Sequence, residues 1–116
     1  MREGRSNIVY IQHMQDAMQK IIAYSSSHSY NDLSDNEWDQ DAVMRNLEII
    51  GEAANNLDVS FRENYPEVTW RKIIDFRNVV VHDYADLDLE IVWQIISKEL
   101  PLLSSQIKEI LKDNNS

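Results

Sequence analysis

Val43-Met44-Arg45-Asn46-Leu47-Glu48-Ile49-Ile50-Gly51-Glu52-Ala53-Ala54-Asn55-Asn56-Leu57 sets Val43, Leu47, Ile50, Ala54 and Leu57 in a four-three-four-three rhythm, the step of one helical face. Gly51 falls in mid-helix, where glycine costs about 1 kcal/mol relative to alanine. A residue kept at that cost points to a close helix contact. Upstream, Asn31 to Asp41 holds five acids and no base, and Ser34 followed by Glu37 matches a capping box, which predicts the start of this helix there.

The pattern extends both ways. Ile8, Ile11, Met14, Met18, Ile21 and Ile22 predict a first helix from Asn7 to about Ser26, ended by the hydroxyl-rich run Ser25-Ser26-Ser27-His28-Ser29. A short helical turn is expected at Ser60–Asn64, before Tyr65-Pro66. Thr69 then reads as the N-cap of a helix that buries Trp70, Ile73, Phe76 and Val80. Asp86-Leu87-Asp88 reads as a loop ending in a cap, and Ile91, Val92, Ile95 and Ile96 as the inward face of the next helix, which Pro101 stops or kinks. Leu102, Leu103, Ile107, Ile110 and Leu111 supply a last helix, with fraying expected over Lys112–Ser116.

At 116 residues, 43% of them apolar, the chain fits one domain spanning 1–116. Two glycines and two prolines are too few for a many-turned sandwich or barrel. The expected fold is all-α, an antiparallel bundle of four to five helices. Absence of cysteine excludes disulfides and thiolate chemistry. No segment reads as a secretory signal or membrane span, so the expected compartment is the cytoplasm. No metal or cofactor is expected: there is no H-E-x-x-H, no EF-hand loop and no phosphate-cradling glycine loop. The formal net charge of −9 argues against a nucleic-acid partner. Arg62 to His82 runs against that balance, with four bases (Arg62, Arg71, Lys72, Arg77) and three acids (Glu63, Glu67, Asp75).

The densest polar cluster is Arg77-Asn78-Val79-Val80-Val81-His82-Asp83-Tyr84. Arginine offers a permanent fork of donors for a phosphate, and histidine both takes and gives a proton near neutral pH. These are parts for metal-free phosphodiester cleavage: a ribose 2′-OH loses its proton to a histidine, arginine holds the charge on the phosphorus oxygens, and an acid protonates the departing 5′ oxygen. On an ideal helix Arg77 and His82 lie roughly 140° apart, whereas Asn78 and His82 share a face. Either Arg77 reaches round or the helix loosens before His82, and three β-branched valines favour the second.

This segment resembles the HepT-like branch of the HEPN family, whose R-x4-H-x-Y motif is matched by Arg77, His82 and Tyr84. Similarity extends to Arg45-Asn46-Leu47-Glu48-Ile49-Ile50-Gly51-Glu52-Ala53, to Pro66-Glu67-Val68-Thr69-Trp70-Arg71 and to Asp88-Leu89-Glu90-Ile91-Val92-Trp93, so it covers roughly Val43 to Leu111. Val80 departs from the pattern, standing where a polar or basic residue is expected. The resemblance implies a toxin of a type VII-like toxin–antitoxin pair, a metal-independent endoribonuclease acting on RNA as a homodimer with two motifs facing one cleft. It implies Arg77 and His82 as catalytic residues, and Asn78, which shares a face with His82, is the candidate to orient one of them. It also implies a minimal nucleotidyltransferase antitoxin, MntA-like, that transfers AMP to Tyr84.

Other readings stand beside these. Arg77 pairing with Asp75 or Asp83 and His82 capping a helix would be purely structural, and Tyr84 would then be a packing residue. Arg45, Glu48 and Glu52 read as a solvated salt-bridge face, with Arg45 a candidate to line the cleft. The acidic run reads as a solvated helix start, or as a docking surface for a basic partner. His13 and His28 read as surface residues, Trp70 and Trp93 as core or interface anchors. The alternative function is a non-catalytic dimeric module that partners a nucleotidyltransferase.

Overall fold

The computed structural model describes residues 2–81 and 88–115, with side chains described for 7–78 and 88–114. Among them the order is α1 (Arg2–Ser27), α2 (Tyr30–Asp35), α3 (Glu37–Asn55), α4 (Val59–Glu63), α5 (Trp70–Val81), α6 (Leu89–Gln94), a π-helical turn (Ile95–Glu99) and α7 (Leu100–Asn115), with no strand. The expected all-α bundle is present: four long helical rods, the last formed by α6, the π turn and α7, with α2 and α4 as short connectors. Central α3 packs on α5 and α1, and α1 also packs on α7.

The core follows the apolar rhythm. Ile11, Met14, Met18 and Ile21 of α1 meet Val43, Met44, Leu47, Ile50 and Ala54 of α3, Ile73 and Phe76 of α5, and Val92, Ile96, Leu100 and Ile107 of the last rod. Trp70 is buried, its indole N–H shared between the Arg62 and Tyr65 carbonyls at 3.1 Å each. That bond ties the α4–α5 connection to the start of α5. Thr69 precedes α5 as expected, and its carbonyl accepts from the Ile73 N–H at 3.2 Å. Asn7 is buried and tied both ways to Asp58: its amide donates to the carboxylate at 3.1 Å, and the Asp58 N–H donates to its carbonyl at 3.0 Å.

Several expectations are corrected. Ser34 does not begin the second long helix; it lies within α2. The capping box belongs to Ser29 and Asp32, where the Asp32 N–H donates to Ser29 Oγ at 3.2 Å and the Ser29 N–H to the Asp32 carboxylate at 2.8 Å. Asn36, in extended conformation, then caps α3 by accepting from the Asp39 N–H at 3.1 Å. The hydroxyl-rich run does end α1: Ser26 and Ser27 donate back to the Ile22 and Ala23 carbonyls, and the helix stops at Ser27. Ile91 is exposed rather than inward, because the buried stripe centres on Val92 and Ile96 and Ile91 lies about 100° from Val92. Leu102 is likewise exposed beside buried Leu103. The C-terminal helix continues through Asn115, past the point where fraying was expected.

Pro101 does not stop the last rod; a π turn directly precedes it. A proline in an α-helix clashes with the carbonyl four residues back and withholds one N–H. The π turn just before it widens the helix, and the Leu100 N–H donates five residues back to Ile95 O. The Ile96 carbonyl would then need the N–H that Pro101 lacks, and Ser25 Oγ of α1 lies 3.3 Å away, its single O–H shared with the Ile22 carbonyl at 3.2 Å. One hydroxyl on α1 thus compensates the irregularity.

Candidate active site and adjoining cleft

Arg77 sits on α5 where that helix crosses α3 at Gly51. A Cβ built on Gly51 would stand 2.7 Å from Arg77 N, 2.9 Å from Arg77 Cβ and 2.9 Å from Ile74 O. No side chain fits there, so the two backbones meet at the motif arginine. The close helix contact expected from the mid-helix glycine is present, and its partner is Arg77 itself.

The next residue on α3 completes the arrangement. Glu52 Oε1 accepts from Arg77 Nη1 at 3.1 Å, with 35% of the arginine and 54% of the glutamate side chain exposed. The partner of Arg77 is therefore neither Asp75 nor, among the described residues, any other acid, but a carboxylate 25 positions away. Among the described residues Glu52 is the acid that holds the guanidinium, through Nη1. Exposed Asn78 reaches back to Asp75 at 3.5 Å. His82 and Tyr84 lie outside the described residues, as do Asp83, Asp86 and Leu87 of the following loop. Asp88 is the expected cap, accepting from the Glu90 N–H at 2.9 Å.

Glu52 also faces an open cleft of about 360 Å³ between α1 and α3, lined by Tyr10, His13, Arg45, Glu48, Ile49, Glu52, Ala53 and Asn56. Arg45 pairs with Glu48 at 3.3 Å, three residues along the same helix, as the sequence suggested, and lines the cleft as well. Tyr10 and His13 bring their rings to 6.5 Å at an interplanar angle of 77°. The sequence reading missed Glu52 as the counter-ion of Arg77 and His13 as a cleft residue. A signal existed: Arg45, Glu48, Glu52 and Asn56 recur at three- and four-residue steps on α3, and Tyr10 and His13 share a face of α1.

His28 stacks on Tyr24 with ring centroids 4.1 Å apart, far from this chemistry in role. The Tyr24 hydroxyl donates to Asp39 at 2.8 Å, and burial together with that carboxylate pushes its pKa well up, so it stays a neutral donor. Among the described residues no group of three His, Cys, Asp or Glu gathers to hold a metal, and no helix is long and apolar enough to cross a membrane.

Residues 14–110 match the model of a family described as ribonuclease HepT-like. A candidate RNase of Caldanaerobacter subterraneus is 36% identical over 103 residues, 89% of this chain and 92% of that one. A Thermococcus cleftensis protein named probable ribonuclease HepT is 29% identical over 108 residues, 93% of this chain and 98% of that one. A Methanocaldococcus jannaschii protein named as both a gamma-glutamylcyclotransferase and a candidate RNase is 31% identical over 105 residues, 90% of this chain. This chain spans about half of that two-part protein, 47% of its length. No solved structure matches the chain.

Proposed function

Because the chain belongs to the HepT-like ribonuclease family, we propose that it is a metal-independent endoribonuclease, the toxin of a two-gene pair, working as a homodimer. The observation that carries the reading is Arg77, clamped at a backbone-to-backbone helix crossing by Gly51 and oriented by Glu52 beside an open cleft. An arginine so fixed presents donors to a phosphate without reorganising when charge develops.

In the proposed reaction His82 of one protomer takes the proton of the ribose 2′-OH, and O2′ attacks phosphorus. The P–O5′ bond breaks, and His82 of the partner subunit protonates O5′, leaving a 2′,3′-cyclic phosphate and a 5′-OH. Arg77 stabilises the phosphorus oxygens throughout. Asn78 supports this pair. A nucleotidyltransferase antitoxin transfers AMP from ATP to the Tyr84 hydroxyl, releasing pyrophosphate. The added bulk and negative charge beside Arg77 and His82 then exclude RNA.

The test is cleavage of tRNA and mRNA by purified protein in excess EDTA, with product ends identified. Wild type is expected to leave 2′,3′-cyclic phosphates, and Arg77→Ala and His82→Ala to leave RNA intact. A folded dimer that cuts nothing overturns the enzyme reading in favour of a non-catalytic module that partners the nucleotidyltransferase. Incubation with that partner and ATP is expected to add AMP to wild type and not to Tyr84→Phe, read by mass spectrometry.

A further inference from the structure

The cleft between α1 and α3 has a make-up that phosphodiester cleavage does not use. Its floor is apolar, with Ala53 buried and Ile49 half-buried; the Tyr10 and His13 rings form one wall; Arg45, Glu48, Glu52 and Asn56 supply the polar rim. A phosphate fits this space poorly, since two carboxylates face it and Arg45 is already engaged by Glu48. A nucleobase fits it well, because its faces are apolar and stack on aromatic rings while its edges carry donors and acceptors. The volume of about 360 Å³ lies in the range of small-molecule sites.

We propose that this cleft holds one unpaired base of the RNA strand beside the scissile phosphate, and that it favours bases with an exocyclic amino group over uracil. The inference rests on the ribonuclease reading above and adds to it which base lies next to the cut. Among the described residues only Oε1 of Glu48 and of Glu52 is engaged by an arginine. Oε2 of each remains to accept an N–H. Adenine and cytosine offer an amino group to a carboxylate, whereas uracil flanks its single N–H with carbonyl oxygens that the carboxylates repel. Glu52 links the two subsites: one oxygen orients Arg77 for the phosphate while the other faces the base. Stacked duplex bases do not reach such a cleft, so the substrate is single-stranded there.

The experiment uses the whole protein and 5′-fluorescein 2′-O-methyl oligomers of A, C and U, followed by anisotropy. These probes lack the nucleophilic 2′-OH, so binding is read free of cutting. Wild type is expected to bind the A and C oligomers about tenfold tighter than U. His13→Ala removes a stacking wall and weakens all three oligomers, and Glu48→Gln erases most of the preference. Both variants change partly or fully exposed side chains, so the fold is retained, which circular dichroism checks. Equal binding of all three oligomers by wild type, a preference that survives Glu48→Gln, or binding unchanged by His13→Ala overturns the base site. Wild type that shows the preference yet leaves natural RNA uncut supports the base site and overturns the ribonuclease reading instead.

Discussion

Two arginine–glutamate pairs flank the same stretch of α3, and they differ in what holds them. At one end Arg45, 72% exposed, meets Glu48 one turn along its own helix. Toward the other, Arg77 crosses from α5 to Glu52, and the glycine before Glu52 lets the two helices touch at that arginine. The first is a surface pair of the kind worth a few tenths of a kcal/mol. The second adds little more by its charges, since both partners are partly exposed, but packing fixes its geometry. Positional accuracy in this protein comes from backbone contact, and the ion pair only sets the direction of a side chain already placed.

The largest effect that would break this contrast is expected at Gly51. Gly51→Leu forces its side chain into the Arg77 backbone and should cost about 3 kcal/mol by overpacking. Urea denaturation reads it, and a loss below about 1 kcal/mol would show that α3 and α5 separate easily at this crossing. Next comes Glu52→Gln. It should lower kcat roughly ten- to a hundredfold by loosening the Arg77 fork while stability falls by no more than about 0.5 kcal/mol. Glu48→Gln, the matching change at the local pair, should lower kcat far less, because Glu48 does not touch Arg77; equal losses in the two variants would erase the distinction. Smallest is Arg45→Ala, expected to change stability by about 0.3 kcal/mol and to lose even that at high salt.

The same contrast extends to pH. Asp32 closes a local capping box, and the backbone N–H of Ser29 holds its carboxyl below the usual aspartate range, opposed by slight desolvation and assisted by the Ser29 side chain and His28. A depressed folded pKa means that the contribution is present above the unfolded value and is lost as pH falls through the folded one. Acid titration of stability should therefore show a small loss below the ordinary aspartate range that Asp32→Asn removes. A wild-type profile identical to that of the variant would show the box to be energetically silent.

Much of the fold was legible because apolar residues at 3.6-residue spacing have one efficient way to leave water. The Val43–Leu57 and α1 stripes follow from it, while the cap at Asp88 was legible from its hydrogen-bonding side chain. The same signal failed at Ile91 and Leu102, which carry the right chemistry at the edge of a stripe, where burial depends on what lies opposite. Nor did it show how the last rod passes Pro101, whose local cost is relieved by a π turn and by Ser25, 71 positions away from the carbonyl it serves. At the site, Arg77 was legible from the motif. Its partner was not, because Asp75 and Asp83 are nearer in sequence than Glu52.

What the sequence by itself determined is what local spacing can encode: the long helices, the cap at Asp88, the Arg45–Glu48 pair, and an arginine, histidine and tyrosine set in one short motif. Only the tertiary structure decided that Gly51 faces Arg77, that Glu52 aims it, and that Tyr10 and His13 wall a cleft next to it. Those relations depend on the crossing of helices distant in the chain. That crossing is set by the summed packing of a whole core, which no single stretch of sequence contains.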